Sequence, residues 1–206
     1  KGENNVVNEI SGESICIATG GRPRQIDGIP NSSSLWFYKD ALQVDQIPKR
    51  LLVVGSGAIG VEFASFFAQM GSDVSLLESQ PTILPNEDLD ISNFVEKQFS
   101  NRGIKIYKNH TLLSLKERGN LFEAELKSED KKLALSFDKA ILAIGIVGNI
   151  ESLNLECLDI NFSNGGIVVD EYCKTNVNNI YAIGDVASPP WLAHKASHEG
   201  ISVAEQ

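Results

Sequence analysis

Two hydrophobic periods alternate along the middle of the chain. Leu51-Leu52-Val53-Val54 is an unbroken apolar run, as expected for a strand covered on both faces of a parallel sheet. From Ile59 to Met70 the period changes. Ile59, Phe63, Phe66, Phe67 and Met70 recur at helical spacing, and Gly71 supplies a stop. Asp73 to Glu78 reads as a second strand, and Asp88 to Arg102 as a second helix through Leu89, Phe94, Val95 and Phe99, ending at Gly103. Ile104 to Tyr107 predicts a third strand. Thr111–Lys116, Leu121–Leu126 and Lys132–Ser136 are separated by polar turns and predict short antiparallel strands, after which Ala140–Ile144 returns as an apolar strand. The order predicts an α/β fold: a Rossmann-like nucleotide-binding half-fold with an antiparallel β excursion.

Outside this span the pattern loosens. Ser14 to Thr19 is β-prone and runs into the turn Gly20-Gly21-Arg22-Pro23, and Asp27 to Ser34 reads as a surface loop. After residue 150, Gly166–Val169 and Ile180–Ile183 predict short strands, Pro189-Pro190 a break, and Leu192–Glu205 a helix. The two flanks share a texture that the middle lacks. The expectation is one interrupted domain, residues 1–47 and 151–206, with residues 48–150 inserted. Lys1 in place of Met, and a helical pattern still running at Gln206, add the expectation that the chain is a fragment.

Composition narrows the class. With 206 residues, 42% hydrophobic and 22% charged, the chain is globular rather than disordered, and one or two domains fit. The net charge of −9 repels nucleic acid and anionic membrane surfaces, so neither is an expected partner. Apolar runs fall far short of the roughly 20 residues of a membrane helix. The three cysteines, Cys16, Cys157 and Cys173, are too few and too dispersed for a disulfide framework or zinc ribbon. A cytoplasmic protein is expected.

The sharpest chemical signal is Gly55-Ser56-Gly57-Ala58-Ile59-Gly60, a G-x-G-x-x-G between a strand and a helix. The first glycine makes the tight turn, the second admits a pyrophosphate, and the third lets helix and strand pack closely. The helix N-terminus offers free N–H groups and partial positive charge to the phosphates. Glu78 lies at the end of the next strand, 23 residues after Gly55, where a ribose-binding acid belongs. The bland alternative is a ligand-free turn with a solvated Glu. A carboxylate there accepts ribose hydroxyls of NAD and repels the 2′-phosphate of NADP, at about 4 kcal/mol per unit charge pair for ~4 Å and a dielectric of ~20, before screening. Ser79, Gln80 and Pro81 supply no arginine to offset it, so NAD is the expected nucleotide.

Other Gly-rich turns follow apolar strands: Ala18-Thr19-Gly20-Gly21, Ala143-Ile144-Gly145 and Tyr181-Ala182-Ile183-Gly184-Asp185. Singly each is an ordinary strand-to-loop turn. Together they resemble the pyridine nucleotide–disulfide oxidoreductase flavoproteins, over essentially the whole chain. Ala193-His194-Lys195-Ala196-Ser197-His198-Glu199-Gly200 is similar to the A-H-K-A-x-x-E-G run of that family's dihydrolipoamide dehydrogenase branch. The resemblance implies that residues 1–47 and 151–206 are partial FAD-domain segments around a NAD-binding domain at 48–150. It implies that Thr19, Gly20, Gly21, Gly184 and Asp185 lie against FAD, with Trp191, Leu192, Ala193 and His194 near the flavin ring. It assigns Gly55, Ser56, Gly57, Ala58, Ile59 and Gly60 to the NAD pyrophosphate, Glu78 to the ribose, Leu112 and Gly145 to the NAD site, and Glu62 to the nicotinamide–flavin contact. Read without the resemblance, Glu62 is a carboxylate favoured near a helix N-terminus.

What the resemblance implies for the parent is oxidation of dihydrolipoamide, with electrons passing through a disulfide and FAD to NAD, in a homodimer serving a lipoyl-bearing acyltransferase complex. The chain departs from the family pattern in several places. Gly145-Ile146-Val147-Gly148-Asn149-Ile150-Glu151 replaces a common R-x-P-N run, in a form similar to one bacterial branch. The chain has no C-x4-C, no second G-x-G-x-x-G, and no paired His and Glu of a C-terminal domain. It is therefore expected to be inactive by itself and not to retain FAD. The alternatives are another NAD-linked flavoprotein such as an NADH oxidase, or a non-catalytic nucleotide-binding module. His194 and His198, spaced i, i+4, lack a third metal ligand, and no metal is expected. Cys16 and Cys173 read as inert core thiols, and Glu87-Asp88-Asp90 as the first turn of a helix.

Overall fold

The computed structural model describes residues 9–29, 32–118, 121–129, 131–151 and 153–206. Pro30 and Asn31 of the expected loop, residues 1–8 of the first segment and the turn residues 119 and 120 lie outside them. In chain order the elements are β1 (Ile15–Ile17), β2 (Gly21–Pro23), β3 (Leu35–Trp36), α1 (Tyr38–Ala41), β4 (Arg50–Val54), α2 (Ala58–Gln69), β5 (Asp73–Leu77), α3 (Leu89–Asn101) and β6 (Lys105–Tyr107). They continue with β7 (Thr111–Arg118), β8 (Leu121–Ser128), β9 (Lys131–Phe137), β10 (Lys139–Leu142), β11 (Ile146–Gly148), β12 (Phe162–Ser163), β13 (Gly166–Ile167), β14 (Ile180–Ala182) and α4 (Ala193–Ala204). The chain divides into two compact units, Pro23–Gly145 and residues 1–22 with 146–206.

The Pro23–Gly145 unit is an α/β fold on a five-stranded parallel sheet of order β3-β10-β4-β5-β6. The run Leu51-Leu52-Val53-Val54 is apolar throughout because both faces of β4 are covered. Leu51 and Val53 join Val74, Leu76 and Ile141 against Ala64, Phe67 and Phe99 of the helices. Leu52 and Val54 join Leu77, Ala140 and Leu142 against Leu115, Phe122, Ala124, Leu126 and Phe137. The second cover is thus the antiparallel sheet β7-β8-β9. It buries one face and leaves the other wet, with ion pairs Arg118–Glu123 and Lys132–Glu125. Asp88 caps α3, accepting the Asp90 N–H at 2.9 Å.

The sheet topology creates the crevice. From β4 the chain steps through α2 to β5 on one side, and later returns as β10 on the other side of β4. Val54 is level with Leu77 of β5 and Leu142 of β10. The carboxyl end of β4 is therefore a topological switch point, where open α/β sheets bind ligands.

The compact unit starts at Pro23 and closes at Gly145, rather than at 48 and 150. Leu35 and Ala140 are paired partners, so β3 is the sheet's edge strand, and Ile26, Ile29 and Phe37 pack against the core of the same unit. Two residues are too short to show a period.

In the other unit, β1 pairs with β14 in parallel through Ile15↔Ile180 and Ile17↔Ala182, β2 lies beside β11, and β12 is antiparallel to β13. Its core is Ile17, Leu155, Ile160, Ile167, Ile180, Ala182, Val186 and Ala187.

Candidate functional site

The turn from β4 into α2 needs glycine at two positions for distinct reasons. Gly55 has φ +95°, and a Cβ there would stand 2.4 Å from the Ala143 carbonyl oxygen. A Cβ on Gly60 would stand 1.9 Å from the Gly55 oxygen, so the first turn of α2 packs directly on the loop. Gly57 differs, since a Cβ on it meets nothing within 4 Å. It is the N-cap of α2 and makes no side-chain cap hydrogen bond. Bare backbone and a helix N-terminus thus face open space, the arrangement that receives an anionic group.

Across this space stands Glu78, at the end of β5 and only 7% exposed. Its Oε2 accepts the Ser56 N–H at 2.9 Å and the Ser56 hydroxyl at 2.6 Å. Its Oε1 accepts the Gln80 N–H at 2.9 Å and the Ser79 hydroxyl at 3.1 Å. Burial pushes this carboxyl's pKa up, but the donors from Ser56, Gln80 and Ser79 together hold it below the ordinary glutamate value. The carboxylate is an anion built into the wall.

A cavity of about 490 Å³ connects these parts. Of the expected nucleotide residues it brings together Gly55, Ser56, Gly57, Glu78, Leu112 and Gly145. It does not include Ala58, Ile59, Gly60 or Glu62. Gly60 is buried beneath the loop, and Glu62 is exposed on α2. Asn86 and His110 also line the cavity and were not anticipated. The His110 N–H donates to the Glu78 carbonyl at 3.0 Å, and its Nδ1 is 2.6 Å from the Lys108 carbonyl. Its position just past the carboxyl end of β6 was the available signal.

The other expected residues lie in the second unit. A Cβ on Gly21 would be 3.2 Å from Cβ of Asp185, so the Gly20-Gly21 and Gly184-Asp185 turns meet. The Thr19 hydroxyl donates to the Asn149 carbonyl at 2.6 Å, and the Asn149 amide returns a bond to Thr19 at 3.0 Å. Gly184, at φ +69°, donates its N–H to Glu199 Oε2 at 2.8 Å, and Lys195 pairs with the same carboxylate. The Glu199 anchor for the Gly184 turn was not anticipated. Trp191 donates its indole N–H to Ala187 at 3.0 Å, while Leu192, Ala193 and His194 are exposed at the start of α4.

Cys16 corrects an expectation: it is exposed, and only Cys173 is a buried thiol. Of β1, only Ile17 is buried, so an apolar neighbourhood in sequence did not make a core. Burial pushes the Cys173 thiol up. Among the described residues, no group of three His, Cys, Asp or Glu side chains has a metal-holding arrangement, and no helix is long and apolar enough to cross a membrane.

The sequence is 47% identical over 194 residues to a dihydrolipoyl dehydrogenase of Rhizobium etli, covering 93% of this chain and 40% of the relative. It is 45% identical over 198 residues to one of Zymomonas mobilis, covering 95% and 42%. Among solved structures it resembles LpdA of Mycobacterium tuberculosis, with a TM-score of 0.87 at 28% identity over 98% of this chain and 44% of that one. It also resembles the HOCl-induced flavoprotein disulfide reductase RclA of Escherichia coli, with a TM-score of 0.83 at 30% identity over 95% and 45%. The chain thus spans about two fifths of the length of these curated relatives. The model of the pyridine nucleotide-disulphide oxidoreductases matches residues 1–200, and the chain belongs to that family of oxidoreductases.

Proposed function

We propose that the Pro23–Gly145 unit binds NAD for a cytoplasmic flavoprotein that oxidises dihydrolipoamide. The observation that carries this reading is the convergence of bare backbone at Gly57 and the anionic Glu78 on one cavity. Backbone N–H groups at the start of α2 hold the pyrophosphate. Glu78 receives the adenosine ribose and excludes a 2′-phosphate. Leu112 and Gly145 line the site, Ala58 and Ile59 open α2, and Gly60 packs beneath the loop. Glu62 is assigned to the contact with nicotinamide and flavin.

In the other unit, Thr19, Gly20, Gly21, Gly184 and Asp185 would hold FAD, with Trp191, Leu192, Ala193 and His194 near its ring. The close approach of Gly21 to Asp185 fits a cofactor passing over bare backbone. When bound, FAD supplies two-electron transfer between a dithiol and NAD. The parent protein acts as a homodimer with a lipoyl-bearing acyltransferase complex. The names of the relatives support the activity. With three free cysteines and no C-x4-C spacing among them, this chain alone is expected to turn over no dithiol substrate.

Calorimetric titration tests the nucleotide. NAD is expected to bind weakly and about fivefold or more tighter than NADP, the discrimination that about 1 kcal/mol of residual repulsion gives. Equal affinities overturn the reading. The purified chain is expected to be colourless, and flavin absorption near one equivalent would overturn the proposal that it keeps no FAD. A longer native chain without C-x4-C would rule out dihydrolipoamide as the substrate.

A further inference from the structure

The four donors on Glu78 are not equivalent. Oε2 takes both of its hydrogen bonds from Ser56, a residue with no exposed surface. Oε1 takes its two from Ser79 and Gln80, both exposed. Ser56 is also tied from behind, since its carbonyl accepts the Leu84 N–H at 2.9 Å. A carboxylate offers about four acceptor positions, and all four are filled from within the chain. An incoming hydroxyl must therefore replace a donor. Replacing the Ser79 hydroxyl costs little, because that exposed group turns to water. Replacing the Ser56 hydroxyl would strand a buried polar group.

We infer that Ser56 is a positioning and specificity-determining residue, which clamps Oε2 through its N–H and hydroxyl and leaves Oε1 to receive the nucleotide ribose. The inference rests on the NAD reading above. The clamp fixes the carboxylate plane and keeps the group ionised, so the discrimination against a 2′-phosphate depends on a hydroxyl that the ligand does not displace. Ser79 is a placeholder that yields to the ligand.

Ser56→Ala and Ser79→Ala separate the two roles in the full chain. Ser56→Ala is expected to weaken NAD about tenfold, as loss of one hydrogen bond to a charged group implies, and to narrow the NAD-to-NADP ratio. Ser79→Ala is expected to leave NAD affinity within about twofold, the loss of a bond the ligand replaces. The pH profile distinguishes positioning from mere structure. With its hydroxyl donor gone, Glu78 in Ser56→Ala takes up its proton at higher pH, so NAD affinity falls at higher pH than in the parent. Carbon-13 titration of the Glu78 carboxyl, assigned by its disappearance in Glu78→Gln, reads the same shift without nucleotide. If the unmodified chain does not prefer NAD, the NAD reading and the clamp both fall. If it does, and Ser56→Ala changes neither the ratio nor the pH profile, only the clamp is overturned. A larger loss in Ser79→Ala than in Ser56→Ala also overturns it.

Discussion

The two units solve the same packing problem with different success. Both contain parallel strands, which need cover on both faces. In Pro23–Gly145, Leu51, Leu52 and Val53 are fully buried, between helices on one side and the β7-β8-β9 sheet on the other. In the other unit the parallel pair β1–β14 has three residues per strand, and Ile15 is 55% exposed. Leu153 and Leu158 are also exposed, and α4 has no buried residue. A two-stranded sheet is marginal by itself. The lesson is that the deeper core and the Glu78 cavity lie in the same unit, where strand ends are held level enough to aim backbone and carboxylate at one cavity.

A matched pair of truncations gives the largest expected difference between the two units. Phe67 is fully buried, with Trp36 tilted, Phe63 stacked and Phe66 edge-on to its ring at centroid separations of 5.1 to 6.3 Å. Phe67→Ala is expected to cost about 3–5 kcal/mol, whereas Ile15→Ala should stay within about 0.5 kcal/mol. Denaturant unfolding followed by far-UV circular dichroism checks both. Similar costs would show that the second unit is as well packed as the first.

A smaller effect separates folding from binding within the glycine loop. Gly60→Ala forces a methyl against the Gly55 carbonyl and is expected to destabilise the unit by about 1–3 kcal/mol. Gly57→Ala meets nothing in the protein, so it should leave the melting temperature nearly unchanged and still weaken NAD. A Gly57→Ala variant that binds NAD normally would remove the pyrophosphate from this turn.

The smallest expected effect is in the acid range. The pKa of Glu78 is depressed on folding, so the stability it contributes is present above the unfolded value of about 4.3 and is lost as pH falls through the lower folded value. Melting curves of the parent and Glu78→Gln should therefore differ at neutral pH, and the gap should shrink progressively as pH falls below about 4. A constant gap down to pH about 3 would contradict the depressed value.

Much of the Pro23–Gly145 unit was legible from local pattern. Unbroken apolar strands, helical spacing from Ile59 to Met70 and the Gly55–Gly60 spacing are properties of neighbouring residues. They specify strand, turn and helix whatever surrounds them. The position of Glu78 after β5 was legible for the same reason, because parallel strands joined by one helix have level ends. The α/β class and the family relationship followed from these.

What required tertiary structure depends on residues far apart in the chain. The two-residue strand β3 exists because Ala140 offers an edge to Leu35, and this pairing joins residues ahead of β4 to the sheet. Cys16 is exposed because too little packs over β1, which its own apolar neighbours do not reveal. His110 and Asn86 reach the cavity through loops that follow strand ends. Above all, the sequence determined that a carboxylate stands after β5, but only the fold decided that Ser56 holds one of its oxygens and Ser79 and Gln80 the other. Hydrogen-bond partners are chosen by where backbones converge, and that convergence is set by packing on both faces of the sheet rather than by any local run of residues.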